Sequence, residues 1–516
     1  LGINYLAYSG NNLLNVSLPD GSAILHAPKP LPGLSRAQVP GAVRTAFEHP
    51  VEMPPLKELV NGNSKVLVCF DDNCQPFPPT PRPDYRELMI EALLPMLYEA
   101  GVSKSNIKFL CAVALHRKMK RHELEYMVGP RVMSEFYPAQ LDNFDAEAPE
   151  DLSYLGETEK GEPVEVSRFA VEADLVIYLD TVQIPLNGGH KSVAVGLGTY
   201  RTIAAHHSPH MTKDVPHVMQ PDGSCMHASI ERISRVVSKH TRIMVLELAM
   251  NNATYPAYVN HLGIPDSECN AIQLLVKRLT PASLSITPEP VRRAIFKSIK
   301  SENAPMEINA GSIDAVHVKT VAALAKQLTV QVPRQYDTVM FGLPDLSPYS
   351  IDARINPVLV LSDVLGYLFN WFYNKPLVRA GGSVIILNPI FEVFHPEYHA
   401  AYEKFWNEVL PRTTDPMEMH MRFQQKFAED EQLRDAYRHR FAHHGFHPFT
   451  VWYWATYPLK YLSQVIVVGP KNGASAKRLG VKWAPSTDAA LEMARQHGKD
   501  DVAAVTVPPF FYLNVG

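Results

Sequence analysis

The chain predicts an α/β protein built as two α/β lobes with mainly parallel sheets joined by a hinge. Three observations carry that prediction. Apolar runs at 65–70, 107–115 and 175–179 each read as a buried strand, and each runs into a polar loop. A second series of strand, loop and helix patterns begins after about residue 305. The length, 516 residues, exceeds what one ordinary core holds together.

Residues 1–62 are proline-rich and irregular, with short strand-like pieces such as 22–25. The strand at 65–70 ends in Asp71-Asp72-Asn73-Cys74-Gln75-Pro76-Phe77-Pro78, a polar loop stiffened by prolines. Residues 84–100 read as an amphipathic helix, bent at Pro95 and stopped by Gly101. The strand at 107–115 delivers His116-Arg117, and 123–129 reads as the next helix with Gly129 as its stop. The strand at 175–179 leads to Asn187-Gly188-Gly189-His190-Lys191-Ser192, then Gly196-Leu197-Gly198 and His206-His207. Glycines after a strand let backbone N–H groups approach a phosphate, and a lysine beside them adds a charge. The spacing matches neither a P-loop nor a dinucleotide fingerprint. Ligands of open parallel sheets sit at the carboxyl ends of the strands, where all three polar loops lie, so one cleft collects them.

In the second series, 338–342, 381–387, 464–469 and 503–507 read as strands, the last of these closing the chain. Residues 358–372 read as a long apolar helix, and Ser486-Thr487 opens a capped one. The linker is placed at 275–305, where Thr287-Pro288-Glu289-Pro290 breaks the pattern. This divides the chain into 1–290 and 291–516, with the active site between the lobes.

Composition excludes several classes of function. The net charge is −4 and no basic block stands out, which argues against nucleic acid. No apolar run reaches the roughly 18 residues of a membrane span, and the first residues lack a secretory signal pattern. The first residue is not Met, so the expected true start lies upstream. Five cysteines form no CxxC pair, which points to a reducing, cytoplasmic setting and away from a disulfide framework or a thiolate zinc site.

Taken together, the three loops resemble the nickel-pincer-nucleotide lactate racemase family, most strongly over 60–210. Its first loop, Asp-x-Thr-Arg-Pro-x-Pro, stands here as Asp72-Asn73-Cys74-Gln75-Pro76-Phe77-Pro78. The second, Gly-x-His-Arg-x-x-Thr-x-x-Glu, stands as Ala114-Leu115-His116-Arg117 with Lys120 and Glu123. The third is Asn187-Gly188-Gly189-His190-Lys191, then Val195-Gly196, Thr202-Ile203 and His206-His207. The resemblance implies that 1–290 binds the cofactor and that 291–516 faces the substrate. It implies a nickel-pincer nucleotide, a pyridinium mononucleotide whose sulfur groups hold nickel. Lys191 then bonds to its thiocarboxylate and acts in catalysis, and His207 ligates nickel, ahead of His206 and His210. Asp72, Cys74, Gly188 and Gly189 complete the cofactor site. His116 is the implied base that takes a hydroxyl proton while hydride leaves the carbon, since imidazole titrates near working pH. Arg117 is left with two partners, the cofactor phosphate or Glu123.

The departures concern the substrate side. Gln75 replaces the arginine that grips a substrate carboxylate, and an amide makes no charged bidentate pair. Thr181 stands at the position of the second catalytic histidine. The second-lobe motif Asp-x-Asn-x-Tyr-Gln-x-x-Lys is barely traceable at Asp352-Ala353-Arg354-Ile355-Asn356-Pro357, with Val360 in place of lysine. The expectation is a racemase or epimerase of a 2-hydroxy acid or sugar-type substrate other than lactate, contacted by Gln75 and Arg354; the alternatives are another redox isomerisation with the same cofactor, or a non-catalytic nucleotide-binding homologue. Cofactor-biosynthesis proteins are the partners expected in cells.

Overall fold

The computed structural model describes residues 3–74, 78–214, 221, 223–350, 354–469, 473–498 and 500–516. Two six-stranded sheets form its frame. In the first, the order is Pro305–Gly311, Arg242–Met250, Leu175–Val182, Val66–Asp71, Ile107–Ala112, Leu141–Asn143. All neighbours there are parallel except the Pro305–Gly311 edge. In the second, the order is Lys482–Ala484, Gln464–Val468, Val378–Leu387, Tyr336–Gly342, Val502–Val505, Ala23–Leu25, parallel throughout. Every residue of Leu175–Val182 is buried, as expected for a central parallel strand covered on both faces.

Sheet membership does not change at residue 290. Residues 305–311 supply the antiparallel edge of the first sheet, and the helix Ile313–Leu328 packs on it. Residues 23–25 belong to the second sheet. The N-terminal stretch is also more regular than its prolines suggest. Ile3–Ser9 and Asn12–Leu18 form a hairpin tied to the second lobe, with Gly10 N donating to Leu343 O at 2.9 Å and Tyr5 Oη to Val505 O at 2.7 Å.

Local chemistry explains the other differences. Asp84 caps the helix Tyr85–Glu99 by accepting from Arg86 N at 2.9 Å, and Gly101 follows it with φ +89°. Gly129 stops a helix as expected: its backbone leaves the helical region at φ +84° and ψ 157°, a Cβ there would sit 2.5 Å from Glu87 Oε1, and Pro130 starts a second helical segment that runs to Phe136. The stretch expected as one long helix is helical from Pro357 to Asn370, but its ladder widens to a π-type turn at Asp363–Tyr367. The expected linker holds two helices, Ala271–Ile286 and Glu289–Ser298, separated at Thr287-Pro288. The final strand is Tyr512–Val515, which pairs with Thr329–Val332 beyond the run at 502–505. Among the described residues no helix is long and apolar enough to cross a membrane.

Candidate active site

One cavity lies between the carboxyl ends of the first sheet and the second lobe. Cys74, His116, Asn187, Lys191 and His207 line it from the first lobe, and Tyr349, Asp363 and His447 from the second.

His116 leaves its strand through Ala114, a non-glycine residue at φ +51°, whose N–H reaches Gly196 O at 3.2 Å. Its Nδ1 lies 2.7 Å from Oδ2 of buried Asp72. A neutral imidazole donates Nδ1–H to that carboxylate, which leaves the Nε2 lone pair for the cavity. Arg117 is fully buried and forks onto Glu123 at 2.9 and 2.5 Å, so of its two expected partners it takes the carboxylate. Cys74 sits close to Asp72 and His116, and burial, reinforced by the Asp72 charge, keeps its thiol protonated.

Lys191 lies one turn into the short helix Gly189–Ala194, its Nζ 3.5 Å from Asn187 Oδ1. Burial lowers its pKa to about 8, although Asp71, Asp180 and Asp72 pull the other way. Partly buried Asp71 and fully buried Asp180 interact with each other and with this lysine. Burial raises both, Asp71 to about 6 and Asp180 further, so the two carboxyls share a proton. Ser192 Oγ bonds to Asp180 and Thr181 N donates to Asp71 Oδ2 at 3.1 Å.

Gly188 and Gly189 do not line the cavity. Both have positive φ, and Gly189 N donates to Glu247 Oε1 at 2.7 Å. A Cβ on Gly188 would come 2.6 Å from the same oxygen. These glycines let the chain turn into the Lys191 helix directly over buried Glu247, which pairs with His317 at 3.1 Å.

His207 ends the helix Tyr200–His206, and its Nδ1 lies 2.5 Å from His206 Nδ1. That contact occupies Nδ1 and leaves Nε2 for the cavity, where Trp454 stands 5.8 Å away ring to ring. Burial, then the neighbouring His206, holds His207 neutral, the form that binds metal.

Cys74, His116, Lys191 and His207 therefore meet at one cavity, with Asp72 held behind His116. Arg354 stands apart from its lining, paired with Glu289 at 2.5 Å and stacked over Phe391. Gln75 lies outside the described residues, as do Asp352 and Ala353 of the weak second-lobe motif.

Residues 10–219 match the family described as the lactate racemase N-terminal domain. That stretch contains every first-lobe residue of the cavity. The lactate racemase of Thermoanaerobacterium thermosaccharolyticum is 24% identical over 33% of this chain and 39% of its own length. That of Lactiplantibacillus plantarum is 24% identical over 37% of this chain and 42% of its own length. This chain thus aligns with less than half of either relative. In structure, the lactate racemase apoprotein from T. thermosaccharolyticum superposes with a TM-score of 0.63 at 17% identity, covering 100% of both chains. A protein from Thermotoga maritima superposes at 0.54 and 14% identity, over 94% of this chain and 99% of its own. The lactate-racemase-like two-lobed fold therefore extends through the second lobe, beyond the matched domain.

That second lobe holds cavity residues that the sequence reading passed over. His447 Nδ1 lies 2.7 Å from Tyr402 Oη, and its ring meets that of His116 at 5.2 Å. Burial, then His443 beside it, pushes its pKa well below the ordinary histidine range. Asp363 is buried at the start of the π-type turn, and burial raises its pKa to about 8. The sequence signal was present in His443-His444-Gly445-Phe446-His447, a histidine-rich turn far from the family motifs.

Proposed function

We propose that this protein is a racemase or epimerase of 2-hydroxy acids that works with a nickel-pincer nucleotide. One observation carries the reading: an oriented Asp72–His116 pair, a partly buried lysine of lowered pKa and a neutral His207 converge on one cavity. The donor set suits the cofactor. His207 offers Nε2 to nickel, with Nδ1 already engaged by His206. Lys191, partly neutral near pH 8, is the amine that holds the cofactor by a covalent bond. When bound, the cofactor supplies a hydride acceptor next to the substrate carbon. His116 takes the hydroxyl proton on Nε2 while Asp72 steadies the cation that forms. The protein is loaded in cells by cofactor-biosynthesis proteins.

The cavity also favours one substrate class. Leu343, Leu346, Trp371, Val451, Trp454 and Phe510 make its second-lobe wall apolar, and Lys191 is the only cation among its described lining. An aliphatic or aromatic substituent on the hydroxy acid is matched by such a wall, whereas a polyhydroxy sugar chain would leave its hydroxyls unpaired.

The test uses protein co-produced with the cofactor-making enzymes. Wild type is expected to carry nickel and a mass adduct on Lys191. Lys191→Met should lose the adduct and His207→Ala the nickel, each with an unchanged thermal midpoint. Single enantiomers of lactate, 3-phenyllactate and gluconate are then followed by chiral chromatography. 3-Phenyllactate should be inverted at least ten times faster than the other two. Adduct-free wild type, or no inversion of any of the three, would remove the reading.

A further inference from the structure

The second lobe presents an imidazole to the same cavity as His116, and the contact between the lobes sets its position. His444 N donates to Leu115 O at 3.1 Å, and Tyr437 Oη to Ala114 O at 3.1 Å. His444 Nε2 also lies 2.9 Å from Glu147 Oε1. These bonds fasten the turn carrying His447 to the two residues that precede His116. Two imidazoles from opposite lobes are thereby held at 5.2 Å, centroid to centroid. Each has Nδ1 on an oxygen, Asp72 Oδ2 for His116 and Tyr402 Oη for His447. Each keeps Nε2 for the cavity both residues line. Tyr349 packs on both rings, at 5.2 and 4.6 Å, so neither swings freely.

We propose that His447 is a second proton-transfer residue of this cavity, working opposite His116. The proposal rests on the hydroxy-acid reading above. Inversion at a hydroxyl carbon through a planar ketone needs the hydroxyl proton removed in one orientation and returned in another. In the forward half, the O–H bond breaks and an Nε2–H bond forms on one imidazole; the hydrogen on carbon, with its electron pair, is what the bound cofactor would take up and later give back. In the return half, the second imidazole, having first taken a proton from solvent, gives its Nε2 proton to the ketone oxygen. Both imidazoles then re-equilibrate with solvent. Thr181, at the position where the resemblance calls for a histidine, does not line this cavity, whereas His447 does.

The experiment compares loaded wild type, His116→Asn and His447→Asn with each enantiomer of 3-phenyllactate in single turnover, following the absorbance change of the cofactor. Asparagine keeps a polar atom near the Nδ1 position and removes Nε2, so packing against Tyr402 is retained. His447→Asn should slow reaction with one enantiomer at least 100-fold and with the other less than 10-fold. His116→Asn should show the opposite preference. Added imidazole should restore at least a tenth of the lost rate to His447→Ala. Equal rates for both enantiomers in His447→Asn, whether unchanged or lost alike, would overturn the proposal, as would absence of imidazole rescue. Nickel content and the Lys191 adduct are measured on every variant. If wild type reacts with neither enantiomer, the proposed function fails first, and that result is separate from any difference among variants.

Discussion

Replacing His116 with glutamine is expected to slow steady-state inversion by loaded protein by about 10²–10⁴-fold, the usual worth of a positioned general base. The side chain is partly exposed to the cavity, and glutamine fills much of its volume beside Tyr349 and His447, so unfolding by urea should follow wild type closely. Asp72→Asn should act in the same direction for a different reason. A carboxylate accepts Nδ1–H and so keeps the lone pair on Nε2, whereas an amide N–H facing Nδ1 favours the opposite tautomer. The ring would then stay in place with its proton on the wrong nitrogen. Initial rates with a single enantiomer, alongside nickel content and unfolding curves, check both variants. A His116→Gln protein that turns over within threefold of wild type would rule out the imidazole as the base.

The strand-end loops were legible because the strands before them are uninterrupted apolar runs, and parallel sheets bury both faces of such runs. That logic brought the loops carrying Asp72, His116 and Lys191 to one cleft, and the family resemblance then singled out His207 beside them. It did not reveal what the glycines face. Gly189 N–H is taken by Glu247, a residue on another strand, and sequence spacing carries no trace of that bond. Strand Leu175–Val182 outlasts its apolar run because Arg242–Met250 pairs with it as far as Val182, drawing Asp180 and Thr181 inside the sheet. The second lobe was harder to read for a related reason. His447 gains meaning only from His116 and Tyr402, and both are brought to it by tertiary packing. Tyr512–Val515 was missed because it is short and follows Pro508-Pro509, while the run at 502–505 already reads as a closing strand.

Asp363 gives the largest expected effect on stability. Both carboxyl oxygens are buried without a well-formed hydrogen bond among the described residues, the Ser347 hydroxyl being the polar group beside them. Burial lifts the folded-state pKa to about 8 from an ordinary 3.8. Below the ordinary value both states hold the proton and the fold is undiminished. As pH rises from there towards the folded value, only the unfolded chain releases its proton, and stability falls by about 1.4 kcal/mol per unit. The total reaches roughly 6 kcal/mol once the folded value is passed. Asp363→Asn removes the ionisation and keeps the shape, so its stability should not follow this slope. The gap between variant and wild type, read by urea unfolding at pH 5, 6.5 and 8, should widen steadily with pH in favour of the variant. Parallel curves would mean that Asp363 is paired or hydrated in solution. A substrate donating a hydrogen bond to this carboxylate would narrow the gap at pH 8. The same titration repeated with 3-phenyllactate and with a polyhydroxy acid therefore reports which ligand reaches the second-lobe wall, independently of turnover.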